Sequence, residues 1–466
     1  MRLTRVPGAV ALLVAGCAAP AVREAATPLT PSSLGLSAAA PLVPADWWRV
    51  FGDPQLDRLV GDATAGGPTL DAALARLGQA QAVLGSRRAD AAPEITLDAQ
   101  GQVARLSGRY TIPPPYAGSI RFVGTGLANL NWNLDLFGRQ RAAIRGARAT
   151  ADAVALDLAA ARLALTAAVV STYLDLVRAE AQASIARRTI DARAGSLRLV
   201  DVRIRNRLAS NLDRQAAATL LAQAQQALVR SKANAVLAKN ALAALAGRGI
   251  DYPATIGPTA VRLEPAPLPA VIPADLLARR ADVAAARMRI EAAMQGREVA
   301  RRAYYPNVNL AALAGLQAIG LGNLFSLDAG TLGAGPALSL PLFDGGRRRA
   351  ELDGAAAGLD LAVADYKGRV VGAVREAADG IAQAGALAAD RARQRDVVRG
   401  YQETGRLNAI RVSSGLDSRL DLVDNDIRTL VAEQDEAALA VDAAQARVRL
   451  AVALGGGFSP AEEGPR

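Results

Sequence analysis

Asp421 and Asp424 stand three residues apart, a spacing that puts both carboxylates on one face of a helix. Facing a narrow aqueous opening, such a pair would favour cations and disfavour anions. Solvated beside a helix start, it would only complement the helix dipole. The segment LDSRLD, Leu416 to Asp421, has a counterpart in LASNLD, Leu208 to Asp213, which keeps Asp213 but has Ala216 at the second acidic position. Arg205, Arg207 and Arg419 lie close in sequence and could pair with these acids as a latch. Little other chemistry is on offer. The 466 residues contain no histidine and one cysteine, Cys17. That removes imidazole acid–base catalysis, Ser-His-Asp triads and almost every zinc arrangement, and it rules out an internal disulfide framework. An enzyme is not expected, nor a metal site, cofactor or nucleotide site.

The net charge is +10, which invites a nucleic-acid reading. The charge is nearly all arginine, with Lys232, Lys239 and Lys367 the only lysines, and it is dispersed among Asp and Glu. Aromatics able to stack on bases are scarce, so the arginines read as solvated helix faces and no nucleic-acid partner is expected. The first residues, MRLTRVPGAVALLVAGC, place Arg2 and Arg5 before a short apolar run, the layout of a secretory signal over 1–16. The run is too short to span a bilayer. Val14-Ala15-Gly16-Cys17 resembles a bacterial lipobox, which implies cleavage before Cys17 and lipidation of its thiol. Ala18 follows where an aspartate would retain a lipoprotein at the inner membrane. The outer membrane, with an anchor on the periplasmic side, is the expected location.

The chain repeats itself. Arg87 to Gly101 aligns with Ala300 to Gly315, Pro93 facing Pro306; Leu134 to Arg139 aligns with Leu340 to Arg347. The closing glycines Gly247 and Gly455 match at an offset of 208, as do LASNLD and LDSRLD. No proline falls between Pro115 and Pro253 or between Pro341 and Pro460, so both spans are open to long helices. Ile144, Ala147, Ala151, Val154, Leu158, Ala161, Leu165 and Ala168 form a heptad seam. A helix of roughly 70 residues would be about 105 Å long, too long for a compact globule. The expected layout is a lipidated segment and equatorial region over 17–66, a first repeat over 67–247, a proline-rich linker over 248–272, a second repeat over 273–455 and a tail over 456–466. The first repeat would hold strands 94–105 and 121–136, a long helix 138–208 and a return helix 212–246. The second would hold strands 307–317 and 332–343, a long helix 347–412 and a return helix 417–454.

The strands are two-faced. Ile95, Leu97, Ala99, Gly101 and Val103 alternate with Thr96, Asp98, Gln100 and Gln102; Leu130, Trp132, Leu134 and Leu136 alternate with Asn129, Asn131, Asn133 and Asp135. Strands of about ten residues, apolar outward and polar inward, mark a transmembrane barrel. Between Arg302 and Asp328 no residue is charged, but its glycines and asparagines argue for two strands and a loop over a membrane helix. Four strands cannot close a barrel around a pore, and open edges are not tolerated in lipid, so several chains must contribute. Each chain then needs two junctions where a membrane strand becomes a periplasmic helix.

At this point the residues resemble a family. WWRVFGDPQLDRLV (Trp47 to Val60), PADLLARRADV (Pro273 to Val283, with Ala281 where proline is usual), NWNLDLFGR and RRAYYPNVNL are together similar to the TolC-type outer-membrane efflux proteins, in the lipoprotein branch that serves resistance-nodulation-division (RND) pumps. The resemblance implies a mainly α fold with a transmembrane β portion. That is a homotrimer whose α-helical barrel continues into an outer-membrane β-barrel of four strands per chain, in contact with outer-membrane lipid. It implies a passive exit duct for small toxic compounds or drugs, docked by a periplasmic adaptor and an inner-membrane RND pump. It also implies that Asp421, Asp424 and Asp213 lie at the periplasmic aperture, repeated by threefold symmetry. Alternative readings are the duct of a type I protein secretion system and a coiled-coil periplasmic scaffold lipoprotein.

Overall fold

In the computed structural model the described residues are 43–109, 112–263 and 279–458. Cys17, the signal segment and much of the linker lie outside them. The elements, in order, are α1 (Pro54–Gly66), α2 (Pro68–Ala89), β1 (Glu94–Arg105), β2 (Ile120–Asn133), α3 (Arg139–Arg205), α4 (Asn211–Leu245), α5 (Ala281–Arg302), β3 (Asn307–Ile319), β4 (Gly330–Ser339), α6 (Arg347–Ser413) and α7 (Arg419–Ala453). They fall into two compact units. These are not the sequence repeats: each repeat gives its strands to one unit and its return helix to the other.

The strand unit holds one antiparallel sheet in the order β1-β2-β3-β4. Its register pairs Ile95 with Leu130, Leu97 with Ala128 and Val103 with Phe122. It goes on to pair Leu130 with Ala312 and Ala312 with Ala334. Residues paired across a ladder share a face, so one face is apolar from strand to strand. It is also bare: Ile95, Leu97, Val103, Leu332 and Leu338 are 70–85 % exposed. The other face carries a polar network, in which Asn129 Nδ2 donates to Asp98 Oδ2 at 2.8 Å and Asn133 Nδ2 to Asn307 Oδ1 at 2.9 Å. Among the described residues, the outer edges of β1 and β4 have no partner strand.

Two strands end earlier than the alternation suggests. Leu134 donates one more backbone bond, to Val308 O, but Asp135 turns to φ +44° and β2 stops at Asn133. β4 runs over 330–339, not 332–343: Gly330 already pairs with Leu316, and Pro341, just past its end, has no N–H to donate. At both junctions an aspartate then starts the helix. Asp135 accepts from the backbone N–H groups of Gln140 and Arg141 at 2.8 and 2.9 Å. Asp344 accepts from the Gly346 and Arg348 N–H groups and from Arg348 Nε at 2.6 Å. The Arg348 guanidinium, with these N–H groups, holds the Asp344 carboxyl below its ordinary range. Phe137 stacks on Tyr305 with ring centroids 5.3 Å apart. On α3, Ala142, Ala149, Ala151 and Ala153 are all buried although they do not lie on one side, as a helix with neighbours on both flanks requires.

The helical unit has its core where the Trp47–Phe51 turn and α1 meet the middle of α3. Phe51, Leu56, Leu59, Leu165, Val169, Tyr173, Leu176, Leu242 and Ile256 pack there. Asp53 ties this core together. It caps α1 through the Gln55 N–H at 2.9 Å, accepts from the Tyr173 hydroxyl at 2.6 Å and accepts from the Ala260 N–H at 2.9 Å. Burial and the Asp53 carboxylate push the Tyr173 hydroxyl up from its ordinary pKa. A second tie is Arg280, bidentate to Asp282 at 2.8 and 3.0 Å and bonded to Glu376 at 2.8 Å and to Ala453 O. Burial pushes the Asp282 carboxyl up, but the Arg280 guanidinium outweighs it and holds the group low. Both WWRVFGDPQLDRLV and RRADV are therefore packing motifs.

In this unit the helices form a row. Arg214 on α4 meets Asp201 on α3. Arg178 and Arg188 on α3 meet Asp442 and Glu433 on α7. Arg391 on α6 meets Glu436 on α7. The order is α4-α3-α7-α6, and the outermost helices expose apolar side chains, Val229, Val236 and Leu237 on α4, and Val397, Leu407 and Ile410 on α6.

Candidate functional site

The ends of the two helical hairpins start from the same backbone device. The Leu208 N–H bonds Arg203 O at 2.8 Å, and the Leu416 N–H bonds Arg411 O at 2.9 Å, closures that bring a helix C-terminus round through one left-handed residue. In the second hairpin that residue is Gly415, φ +70°; in the first it is Arg207, φ +58°. Helix α3 thus stops at Arg205, short of the expected 208.

The return helices start differently. Ser210 caps α4 in a closed capping box, its N–H and Oγ donating to Asp213 Oδ2 at 2.7 and 2.8 Å while Oγ accepts from the Asp213 N–H. These Ser210 bonds hold the Asp213 carboxyl below its ordinary range. Ser418 caps α7 by accepting from the Leu420 N–H at 3.0 Å. There Arg411 Nε donates to Asp417 at 2.9 Å, and the Ser418 N–H and the Asp421 carboxyl lie near enough to act on the same carboxylate. The Arg411 bond is the main reason the Asp417 carboxyl is held low. Asp421, the positional equivalent of Asp213, is left out of that capping role and is exposed.

Asp213 and Asp424 line one cavity of about 250 Å³ with Arg193, Arg203, Leu208 and Leu420. The structure therefore brings two of the three expected acids together and leaves Asp421 outside that lining. Arg205, Arg207 and Arg419 are exposed, and among the described residues no ion pair involves them. The arginines that do meet acids here are Arg411, bonded to Asp417, Arg214, paired with Asp201, and Arg203, beside Asp213, with Arg193 in the same cavity lining. Sequence reasoning missed them, although Arg203 and Arg411 stand at the same offset of 208 as the closing glycines.

A sheet with a bare apolar face, each of whose hairpins leads into a 67-residue helix, can be compared with known proteins. A family model described as "Outer membrane efflux protein" matches residues 59–248 and 272–456. The chain belongs to the outer membrane efflux protein family. OprJ, an outer membrane protein of Pseudomonas aeruginosa, is 32 % identical over 428 residues, which cover 89 % of this chain and 88 % of OprJ. The fusaric acid resistance protein FusA of Burkholderia cepacia is 35 % identical over 324 residues, 68 % of this chain but only 60 % of FusA's own length. Among solved structures, the outer membrane protein VceC of Vibrio cholerae superposes with a TM-score of 0.82 at 31 % identity, covering 89 % of this chain and 99 % of VceC. Family membership accounts for the repeat and for the strand–helix junctions; the family model does not reach Cys17.

Proposed function

We propose that the protein is the outer-membrane exit duct of a tripartite efflux system, passing small toxic compounds or drugs from an inner-membrane RND pump and a periplasmic adaptor to the outside. The observation that carries this is the four-stranded sheet, apolar and bare on one face, with no partner strand at either edge among the described residues, and continuous with long helices at both junctions. Lipid tolerates no open strand edges. Three copies would join β4 of one to β1 of the next, and the apolar sides of α4 and α6 would meet across copies in the same way. The resistance named for FusA supports a small organic toxicant as cargo. The chain's own role is passive, with Cys17 as the lipid anchor on the periplasmic side. Asp421 and Asp424, with Asp213 behind them, narrow the periplasmic aperture. Arg419, Arg205 and Arg207 would pair with acids of neighbouring copies and latch it shut.

The test is single-channel conductance of the purified protein in a planar bilayer, beside Asp421→Ala/Asp424→Ala. A low conductance that rises at least severalfold in the double variant is the expected result. Trimers that sit in the bilayer and conduct in neither form would sink the duct. An Arg419→Ala variant that leaks no more than the parent would remove that residue from the latch.

A further inference from the structure

The two hairpin tips of the sheet are unlike in charge. Between Asp98 and Asp135 the sequence has no acidic residue, while Arg105, Arg109 and Arg121 stand at the β1–β2 tip. All three are exposed, and among the described residues none forms an ion pair. The register separates them. Arg105 pairs with Ile120, which places it on the apolar face two residues beyond Val103; Arg121 pairs with Ala104 on the opposite face. Arg121 is also engaged locally, its Nε donating to Ser119 Oγ at 3.4 Å and its guanidinium lying over Tyr116. The β3–β4 tip has one charge, Asp328, and leaves Phe325 and Leu327 81 and 98 % exposed. Its Leu324 lies against Gly124 and Phe122 of the apolar face. At this end the apolar band is thus flanked by an apolar loop and capped by guanidinium groups that have no counter-ion among the described residues.

We infer that this end of the sheet docks the phosphorylated glycolipid of the outer leaflet, with Arg105 and Arg109 pairing its phosphates while Phe325 and Leu327 lie against its acyl chains. The inference rests on the reading above, in which the sheet spans the outer membrane with its hairpin tips outward. A guanidinium forks onto phosphate oxygens through two parallel bonds. An arginine at the end of an apolar face covers apolar surface with its stem and carries its charge to headgroup height. A soluble polyanion would satisfy the arginines but not the exposed Phe325 and Leu327, so lipid is the occupant that fits both.

The experiment uses the full-length protein in detergent and native mass spectrometry with four probes: bisphosphorylated lipid A, its monophosphorylated form, its dephosphorylated form and inorganic phosphate. Bisphosphorylated lipid A should bind most tightly, and Arg105→Gln and Arg109→Gln should each weaken it by about fivefold. Arg121→Gln, an equal change of charge on the opposite face, should change it less than twofold. Equal retention of phosphorylated and dephosphorylated lipid A would overturn the inference, as would a loss in Arg121→Gln equal to that in Arg105→Gln. Inorganic phosphate binding as tightly as the lipid would overturn it too. Conductance of the same preparation keeps the two readings apart, since a conducting protein indifferent to lipid A phosphates loses only the docking proposal.

Discussion

At the end of each return helix a glycine in left-handed conformation meets a backbone carbonyl. A Cβ on Gly247, φ +65°, would lie 2.1 Å from Gly66 O; one on Gly455, φ +97°, would lie 2.0 Å from Arg279 O. The contact is the same in both repeats, just ahead of α2 in one and of α5 in the other. At the far turns the repeats part company. The first spends Asp213 on its capping box and puts Arg207 where glycine is preferred. The second has Gly415 there, leaves its box open and pairs Asp417 with Arg411. Where a backbone contact must form for the chain to close, both copies keep it. Where only the helix start must be capped, the two copies do it differently.

The largest expected effect breaks the agreement. Gly247→Ala and Gly455→Ala each combine a left-handed penalty of about 1–2 kcal/mol with overpacking of about 1–3 kcal/mol. Both variants should fall sharply in the amount of protein recovered from outer membranes, measured against the parent by quantitative immunoblot. If only one of them falls, the closing contacts are not equivalent and the comparison fails at its firmest point.

How much of this could be read beforehand follows from the range of each interaction. The two-faced strands were legible because a period of two is local to the chain, and pairing Ile95 with Leu130 needed only that alternation to persist. The junction acids were not legible. Asp135 lies two residues before Phe137 and Asp344 one residue after Phe343, so alignment separates two groups that do one job. The spacing Ser-x-x-Asp occurs at Ser210–Asp213 and again at Ser418–Asp421, a capping signal in both. The first box closes and the second stays open; beside the second stands Asp417, whose counterpart in the first repeat is Ala209. The partners of Arg193 and Arg203 were hidden because their cavity joins α3, α4 and α7, which are distant in sequence.

The capping difference can be sharpened next. Ser210→Ala removes an acceptor and a donor at once and should cost about 1 kcal/mol at the start of α4, whereas Ser418→Ala should cost about half that. Amide hydrogen exchange over residues 208–216 and 416–424 would show it, and equal losses would mean that the closed box adds nothing. Acid should act on both starts. The Asp213 and Asp417 carboxyls are held below their ordinary value, so their contribution is complete above about pH 4 and is lost as the pH falls through their lowered folded-state values. Asp213→Asn should abolish the acid-dependent rise in exchange in the first turn and leave that of the second. Asp417→Asn removes the charge that pairs with Arg411 beside the Ser418 cap, and Asp421 should then swing into the box as Asp213 does. In the reading proposed above, the aperture of that variant discriminates less for cations, measured as a reversal potential under a salt gradient.

The smallest effect concerns Arg207. An L-residue in the left-handed region is disfavoured by about 1–2 kcal/mol, and Gly415 shows that the same turn forms with a residue that escapes this. Arg207→Gly would relieve that strain, but glycine also gains freedom in the unfolded chain, offsetting roughly 0.4–1 kcal/mol. The net gain at the turn should lie between about zero and about 1.6 kcal/mol, read as slower exchange of the Leu208 amide that bonds Arg203 O. If Arg207 serves only the turn, the variant is slightly more protected and conducts as the parent does. If Arg207 latches the aperture, the same variant is more protected at Leu208 yet leaks more current. Strain kept at an exposed turn, where glycine was available to the other repeat, would then be explained by what the guanidinium does across the copies.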